Sequence, residues 1–199
     1  MKHSRQKYFK VFSYMLGYPN ASFFDGIAEL EEWLKGLPPK EARGLLQKGC
    51  ERFTKWNIME LQKHYVATFD FKDSTSLHLT AHEHGDGRDR GAALVRLKAM
   101  LGSAGYEELD GELPDYIPLL FEFLAEETDP VMIAEIEQRL AKGIAKIRKA
   151  MDPASPYTLI FAAAEQILPV VQKSGETPYD HENQKPDLEE LPYPLYYEH

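Results

Sequence analysis

The chain has 199 residues and a net charge of −9, and 43% of its residues are hydrophobic and 12% aromatic, enough to build a core. The composition argues against a largely disordered chain, and the single cysteine, Cys50, excludes an internal disulfide and an all-cysteine metal site. No apolar run approaches the ~20 residues of a membrane-spanning helix, and the apolar stretch after the basic N-terminus is too short for a signal peptide. We therefore expect a cytoplasmic protein without membrane insertion.

The negative charge is concentrated in two stretches. Residues 107–129 hold nine acidic side chains and no Lys or Arg, and residues 174–199 hold seven acidic side chains and one lysine. A negative field this local disfavours nucleic acid as a partner and would attract a basic one. The alternative is a solvated acidic surface that keeps the protein soluble.

Apolar residues recur at spacings of three and four from Tyr8 to Val171, which predicts helices and essentially no sheet. In chain order, the apolar stripes of the predicted helices cover residues 8–15, 23–34, 46–53, 58–69, 94–101, 116–124, 133–151 and 160–171. Glycine and proline clusters separate them. The sequence therefore predicts an all-α, single-domain bundle of about eight helices over residues 1–173.

Two helix starts have clear signals. Asp115 is predicted as an N-cap, which places Pro118 in the first turn, where a missing N–H costs little. The pair Asp129-Pro130 predicts a cap followed by proline at the first helical position.

Two segments lack helical periodicity. From Asp70 to Asp86 the Ser, Thr, His and Gly content predicts a long loop. From residue 174 to residue 199, scattered prolines and tyrosines predict an extended or disordered acidic tail.

Chemistry-bearing motifs are scarce. His78, His82 and His84 form a metal-like cluster, because imidazoles are good zinc ligands. However, the cluster lies in the predicted loop and lacks the His-Glu-x-x-His helix of a hydrolytic zinc site. We therefore expect solvent-facing histidines and no metal, with a metal-binding helical protein as the alternative. Phosphate-binding loops and nucleophile elbows are also absent from the sequence, so we expect no enzyme.

The segment from Tyr116 to Leu124 is apolar nearly all round, and only Glu122 and Glu126 give it a polar stripe. Such a helix is either buried on most sides or lines a groove for a partner, and burial is the default expectation. Its acidic setting favours the groove, because an apolar groove with an acidic rim suits a basic amphipathic helix.

Two sequence blocks carry a family resemblance. Tyr65-Val66-Ala67-Thr68-Phe69-Asp70, Leu77-His78-Leu79-Thr80 and the Gly85–Gly91 segment resemble the NarJ family, the delta subunit of respiratory nitrate reductase. Leu113–Leu119 and Glu122-Phe123-Leu124 are similar to the second block of that family. The resemblance covers about residues 8–172, and the sequence also resembles the wider TorD/DmsD group of molybdoenzyme chaperones.

The resemblance implies a TorD/NarJ-like helical bundle that acts without turnover. Such a chaperone binds the N-terminal segment of a nitrate reductase catalytic subunit and assists molybdenum cofactor and iron–sulfur insertion before membrane docking. It implies no permanently bound cofactor, since the molybdenum cofactor is handled indirectly through the client, and we expect a monomer or weak dimer. A generic helical interaction scaffold remains an alternative.

Motif and chemistry together nominate candidate site residues. For contact with the partner peptide we predict Asp115, Tyr116, Leu119, Glu122 and Phe123. For a structural or binding role in the family motif we predict Tyr65, Phe69, His78, Asp86, Arg88, Arg90 and Gly91. In the Gly85–Gly91 segment, Asp86 is a possible helix cap, and the favoured role of the segment is to fix how the loop joins the next helix.

Overall fold

The computed structural model describes residues 2–85, 87–106 and 111–170. Over these residues the chain forms nine α-helices and one 3-10 turn, and β pairing in the same ranges is limited to an isolated bridge between His78 and Tyr116. The all-α prediction is confirmed. The helices are α1 (Lys2–Leu16), α2 (Phe23–Leu34), α3 (Lys40–Phe53), α4 (Ile58–Phe69), α5 (Leu79–His84), α6 (Asp89–Ser103), α7 (Ile117–Glu126), α8 (Pro130–Ala150) and α9 (Tyr157–Ile167).

The structure contains one helix that the sequence analysis did not predict, α5. The stretch expected as a long loop, residues 70–86, instead contains a 3-10 turn at Asp73–Thr75 and the six-residue helix α5. A helix this short shows no apolar stripe of its own and is not stable alone, so contacts with the rest of the bundle must hold it. Leu79 and Thr80 supply these contacts with the bundle, since both side chains are buried. The prediction of a continuous loop was wrong.

Aromatic side chains mark the centre of the bundle. Helix α1 packs against α7, and α3 packs against α9. The rings of Phe12 and Phe121 lie 5.1 Å apart, and the Tyr157 ring lies 5.0 Å from Phe53 and 4.9 Å from Phe69. These centroid distances are typical of favourable aromatic pairs. The apolar sides of α7 and α9 therefore pack against other helices and form the interior of the fold.

The start of α8 follows its sequence signal. The Asp129 side chain accepts a hydrogen bond of 2.8 Å from the Val131 N–H, and Pro130 occupies the first turn. The apolar stripe that predicted this helix is buried at Ile136, Leu140, Ile144, Ile147 and Met151. Its N-terminal member, Ile133, is only partly buried.

The start of α7 differs from the prediction. Tyr116, not Asp115, is the N-cap residue, although Pro118 does lie in the first turn. The Asp115 side chain makes no cap, because its oxygens accept hydrogen bonds from the start of α5 instead.

No helix among residues 2–85, 87–106 and 111–170 is long and apolar enough to cross a membrane. The predicted tail over residues 174–199 lies outside the described residues, so the domain boundary near residue 173 stays a prediction.

Candidate functional site

The two motif blocks of the sequence meet in the fold. The Leu79 N–H donates to the Asp115 carbonyl oxygen at 2.9 Å, and the Ile117 N–H donates to the Leu77 carbonyl oxygen at 2.8 Å. Between these bonds lies the antiparallel bridge of His78 and Tyr116. We call the paired segments, residues 77–80 and 115–117, the motif junction. It joins the start of α5 to the start of α7.

A buried carboxylate holds the motif junction together. Asp115 is 0% exposed, and its Oδ1 lies 3.1 Å from Nδ1 of His78. Its Oδ2 accepts hydrogen bonds from the Thr80 backbone N–H, at 3.1 Å, and from the Thr80 hydroxyl. Burial alone would raise the pKa of Asp115, but the hydrogen bonds from His78 and Thr80 outweigh it and lower this pKa. Asp115 is therefore a charged clamp between two chain segments.

Helix α5 is also fixed to its other neighbours. Arg90 of α6 donates from Nε to the Thr80 hydroxyl oxygen at 3.3 Å. Arg139 of α8 forms a two-pronged ion pair with Glu83, at 2.8 and 2.7 Å. Gly143 permits the close approach of α8, since a Cβ there would lie 2.7 Å from Cδ1 of Leu79. The junction is thus held by contacts from α6, α7 and α8.

Two tyrosines connect the junction to α4 and α1. The hydroxyl oxygens of Tyr65 and Tyr116 lie 2.9 Å apart, and the Tyr65 hydroxyl also donates to the Leu16 carbonyl oxygen at 3.1 Å. Burial raises the pKa of both hydroxyls, so both stay neutral at physiological pH. Tyr18, which is 52% exposed, packs edge-on against Tyr65 at 5.4 Å. One exposed tyrosine, Tyr18, therefore lies beside the motif junction.

The three histidines differ in their surroundings. His78 contacts Asp115, and Nε2 of His82 donates to the Ser76 carbonyl oxygen at 2.7 Å. Burial lowers the pKa of His82. His84 is exposed, as predicted, whereas His78 and His82 are half-buried, so the prediction of solvent-facing histidines was wrong for those two. In the ranges that the structure covers, no group of three or more His, Cys, Asp or Glu side chains is arranged to hold a metal ion.

The predicted peptide-contact residues divide into two sets. Asp115 and Phe123 are both 0% exposed, so neither offers a surface to a peptide in this conformation. Phe123 belongs to the core and packs edge-on against Tyr106 at 5.3 Å. This burial is the default expected for so apolar a helix, and the groove location predicted for Phe123 is corrected. Tyr116 and Leu119 are half-buried and Glu122 is exposed, so contact with a peptide stays a prediction for these three.

The exposed side of α7 forms a strip of Tyr116, Leu119, Glu122 and Glu126, spaced by three and four residues. We call these four residues the α7 strip. Its first half is apolar and its second half acidic, although Lys10 pairs with Glu126 at 2.7 Å. Burial raises the pKa of the neighbouring Tyr106, and Glu122 and Glu126 raise it further. The strip is therefore a shallow amphipathic surface that begins at the motif junction.

The family-motif residues also separate into groups. Five of the nominated residues, taken from both predicted sets, lie at or beside the motif junction: Tyr65, His78, Arg90, Asp115 and Tyr116. Phe69 is buried against Tyr157, whereas Arg88 and Gly91 are exposed at the start of α6. Asp86, the predicted cap, lies outside the described residues. Sequence reasoning missed the structural roles of Thr80 and Glu83, because nothing local distinguishes them from surface polar residues.

Comparison with known proteins identifies the family of this chain. Residues 26–161 match the family described as nitrate reductase delta subunit. The chain belongs to that family. The predicted membership of the NarJ group is thereby confirmed.

Individual relatives agree with this assignment. The Escherichia coli K12 nitrate reductase molybdenum cofactor assembly chaperone NarJ is 35% identical over 119 residues, which is 58% of this chain and 50% of that protein. A Bacillus subtilis protein named as a NarJ chaperone of the same kind is 34% identical over 124 residues, 61% of this chain and 66% of the relative. The chain thus spans between half and about two thirds of the length of these relatives.

A solved structure has the same fold. A redox enzyme maturation protein from Archaeoglobus fulgidus superposes with a TM-score of 0.59, covering 81% of this chain and 91% of that one. The sequence identity is 17%, so this likeness concerns the fold alone.

Proposed function

We propose that the protein is a system-specific chaperone that binds the N-terminal segment of a nitrate reductase catalytic subunit. In this role it assists molybdenum cofactor and iron–sulfur insertion before the enzyme docks at the membrane. Support comes from two relatives in the comparisons, which are named as nitrate reductase molybdenum cofactor assembly chaperones. Those names refer to cofactor assembly in nitrate reductase, which favours indirect handling of the cofactor through the client.

The observation that carries the proposal is the α7 strip and its attachment. The strip exposes part of Tyr116 and part of Leu119 next to the acidic residues Glu122 and Glu126. A basic amphipathic helix can lay its apolar side on the first half and its cations along the second. Apolar contact then supplies affinity, while the carboxylates steer and orient the segment.

The clamp of Asp115 gives the strip a fixed position. Because its carboxylate holds residues 77–80 against the start of α7, Tyr116 is fixed between His78 and Tyr65. A surface fixed in this way loses little side-chain entropy on binding. Asp115 therefore supports binding by positioning Tyr116, without touching the client.

The test is calorimetry with the full chain and a synthetic peptide of the client N-terminal segment. Leu119→Ala should weaken binding by about tenfold or more, as expected for loss of a central apolar anchor. The matched control is Val95→Ala, an exposed apolar residue on α6, which should leave the affinity unchanged.

The acidic half of the strip is tested by kinetics. Glu122→Gln should slow association and flatten the dependence of binding on salt, because rim charges act mainly through steering. Glu135→Gln on α8 removes the same charge from another exposed position and serves as the control. Folded wild-type protein that fails to bind the peptide would refute the proposed function. Binding that neither α7 variant alters would place the site elsewhere.

A further inference from the structure

A concave surface lies away from the motif junction, between α1, the end of α7 and the start of α8. It is a groove of about 490 Å³, within the ~300–1,000 Å³ range of ligand sites. Phe9, Leu124, Pro130, Ile133 and Ala134 give it apolar walls. Its chemistry is therefore suited to an apolar or aromatic segment.

The charged groups at this groove already have partners. Glu137 pairs with Arg5 at 2.8 Å, and the Arg5 guanidinium lies 5.7 Å from the centre of the Phe9 ring. The Glu127 carboxylate turns back and accepts hydrogen bonds from the backbone N–H groups of Thr128 and Asp129. Because the carboxylates of the groove are already engaged, we expect the groove to bind a basic client less well than the α7 strip does. An uncharged occupant fits it best.

The end of α9 lies at this groove. Arg5, which lines it, donates a hydrogen bond of 3.1 Å to the carbonyl oxygen of Ile167, the last residue of α9. Leu168 is still buried, whereas Val170 is 86% exposed. The described chain thus ends at Val170, three residues beyond a hydrogen bond to Arg5 at the edge of the groove.

We propose that the groove is the docking site for the chain's own segment Leu191–Tyr197. This run, Leu-Pro-Tyr-Pro-Leu-Tyr-Tyr, has no charged side chain and carries three tyrosines. Proline-rich segments with aromatic residues bind in shallow apolar grooves at low entropic cost. Phe9 and Leu124 are already buried, with 2% and 1% of their surface exposed, so docking of the run would chiefly cover Pro130, Ile133 and Ala134.

Charge complementarity supports the same occupant. Helix α1 forms one wall and contains four Lys and Arg residues but no Asp or Glu. Six acidic residues lie between residues 174 and 190, directly before the uncharged run. Two of these cations, Arg5 and Lys10, already pair with Glu137 and Glu126, so the positive charge that α1 retains attracts the carboxylates as a long-range field while the run fills the groove.

Chain length permits the contact and favours an intramolecular one. Twenty residues separate Val170 from Leu191 and can span up to about 70 Å when extended. Because a segment tethered at the mouth of its site has an effective concentration of the order of millimolar, it outcompetes the same segment of a second copy. The occupant is thus the segment of the same chain.

The primary test is photo-crosslinking of the full chain without any client peptide, so its result is independent of the proposed chaperone function. Benzoylphenylalanine introduced at position 196 should crosslink to peptides from α1 and from the first two turns of α8. The yield should stay constant on dilution. Crosslinks between two chains that increase with concentration would overturn the intramolecular proposal, and absence of crosslinks to α1 and α8 would overturn the groove.

A pair of surface variants locates the contact. Ala134→Glu places a charge inside the groove and should reduce the crosslink yield by about tenfold or more. Ala92→Glu adds the same charge at an exposed position of α6 and should leave the yield unchanged. Equal yields in these two variants would contradict the docking site.

Hydrogen exchange provides a second measurement. Replacing Tyr193, Tyr196 and Tyr197 by serine should increase amide exchange in the first two turns of α8 several-fold, since an occupied groove shields and stabilises them. The control Tyr179→Ser alters a tyrosine of the same acidic segment outside the run. Unchanged exchange in the triple variant would count against the proposal.

Discussion

The bundle core and the motif junction are stabilised by different means. In the core, rings such as Phe12 and Phe121 and aliphatic residues such as Leu140 are buried against one another without directional bonds. In the junction, a single carboxylate, Asp115, bonds to two residues of another segment. Apolar packing tolerates exchange among residues of similar volume, whereas a buried polar network requires each donor and acceptor. The core should therefore determine stability, and the junction should determine the position of the α7 strip.

The largest effect on stability is expected in the core. Leu140→Ala removes a fully buried side chain from the middle of α8 and should lower the free energy of unfolding by roughly 2–5 kcal/mol. Affinity of the remaining folded protein for the client peptide should be almost unchanged. Urea unfolding measures the first quantity and calorimetry the second.

A control on the same helix sharpens this prediction. Val131 is 72% exposed, so Val131→Ala should leave the unfolding free energy almost unchanged. A similar loss in both variants would mean that burial of Leu140 does not account for the change, and helix propensity could not account for it either, because alanine is the better helix former in both cases.

A smaller loss of stability, with a specific loss of binding, is expected at the junction. Asp115→Asn keeps the shape of the side chain but removes its charge, and an amide nitrogen must replace one accepting oxygen. The free energy of unfolding should fall by roughly 1–3 kcal/mol. Because Tyr116 is then less firmly positioned, affinity of the folded variant for the client peptide should fall, which Leu140→Ala would not cause.

The control for the junction is Asp25→Asn, an exposed carboxylate of α2. It should alter neither quantity appreciably. If Asp115→Asn bound the peptide like the wild type while folded, the junction would have a structural role only.

The smallest effect is a pH dependence of stability. Burial lowers the pKa of His64 and of His82 in the folded protein. The unfolded chain binds a proton at each near pH 6.5, so it binds more protons than the folded chain as pH falls below that value. Above pH 6.5 both histidines are mainly neutral in both states and hardly affect the free energy of unfolding; below that value the greater proton uptake of the unfolded chain lowers the free energy of unfolding as pH falls.

Urea unfolding at pH values between 7.5 and 5 measures this slope. His64→Gln and His82→Gln should each flatten it, because each removes one group with a lowered pKa. His3→Gln changes an exposed histidine and is the control. A slope that neither variant changes would mean that other groups account for the acid sensitivity.

Local patterns were sufficient to predict the long helices. The stripe through Ile136, Leu140 and Ile144 has the 3.6-residue period of a helix, and the Asp129-Pro130 cap depends only on adjacent residues. The apolar stripe and the cap could therefore both be predicted without tertiary information. The same holds for the two motif blocks, whose resemblance indicated the family before any contact was known.

The site itself required the fold. Asp115 has the chemistry of an N-cap, and only its position against residues 78–80, about 35 residues earlier in the chain, makes it a clamp instead. Phe123 has the same apolar character as a groove residue, yet the neighbouring helices cover it completely.

Sequence alone thus determined the all-α class, most helix positions and the family, because helix periodicity, caps and motifs act over a few residues. Tertiary structure decided whether α5 forms at all, and which polar residues are buried. It also decided which side of α7 faces solvent. These features depend on free energies of contact between segments far apart in the chain, such as Glu83 with Arg139 and Tyr65 with Tyr116. Sequence spacing does not encode which distant partners will meet, so the clamp and the exposed strip appear only once the helices are packed.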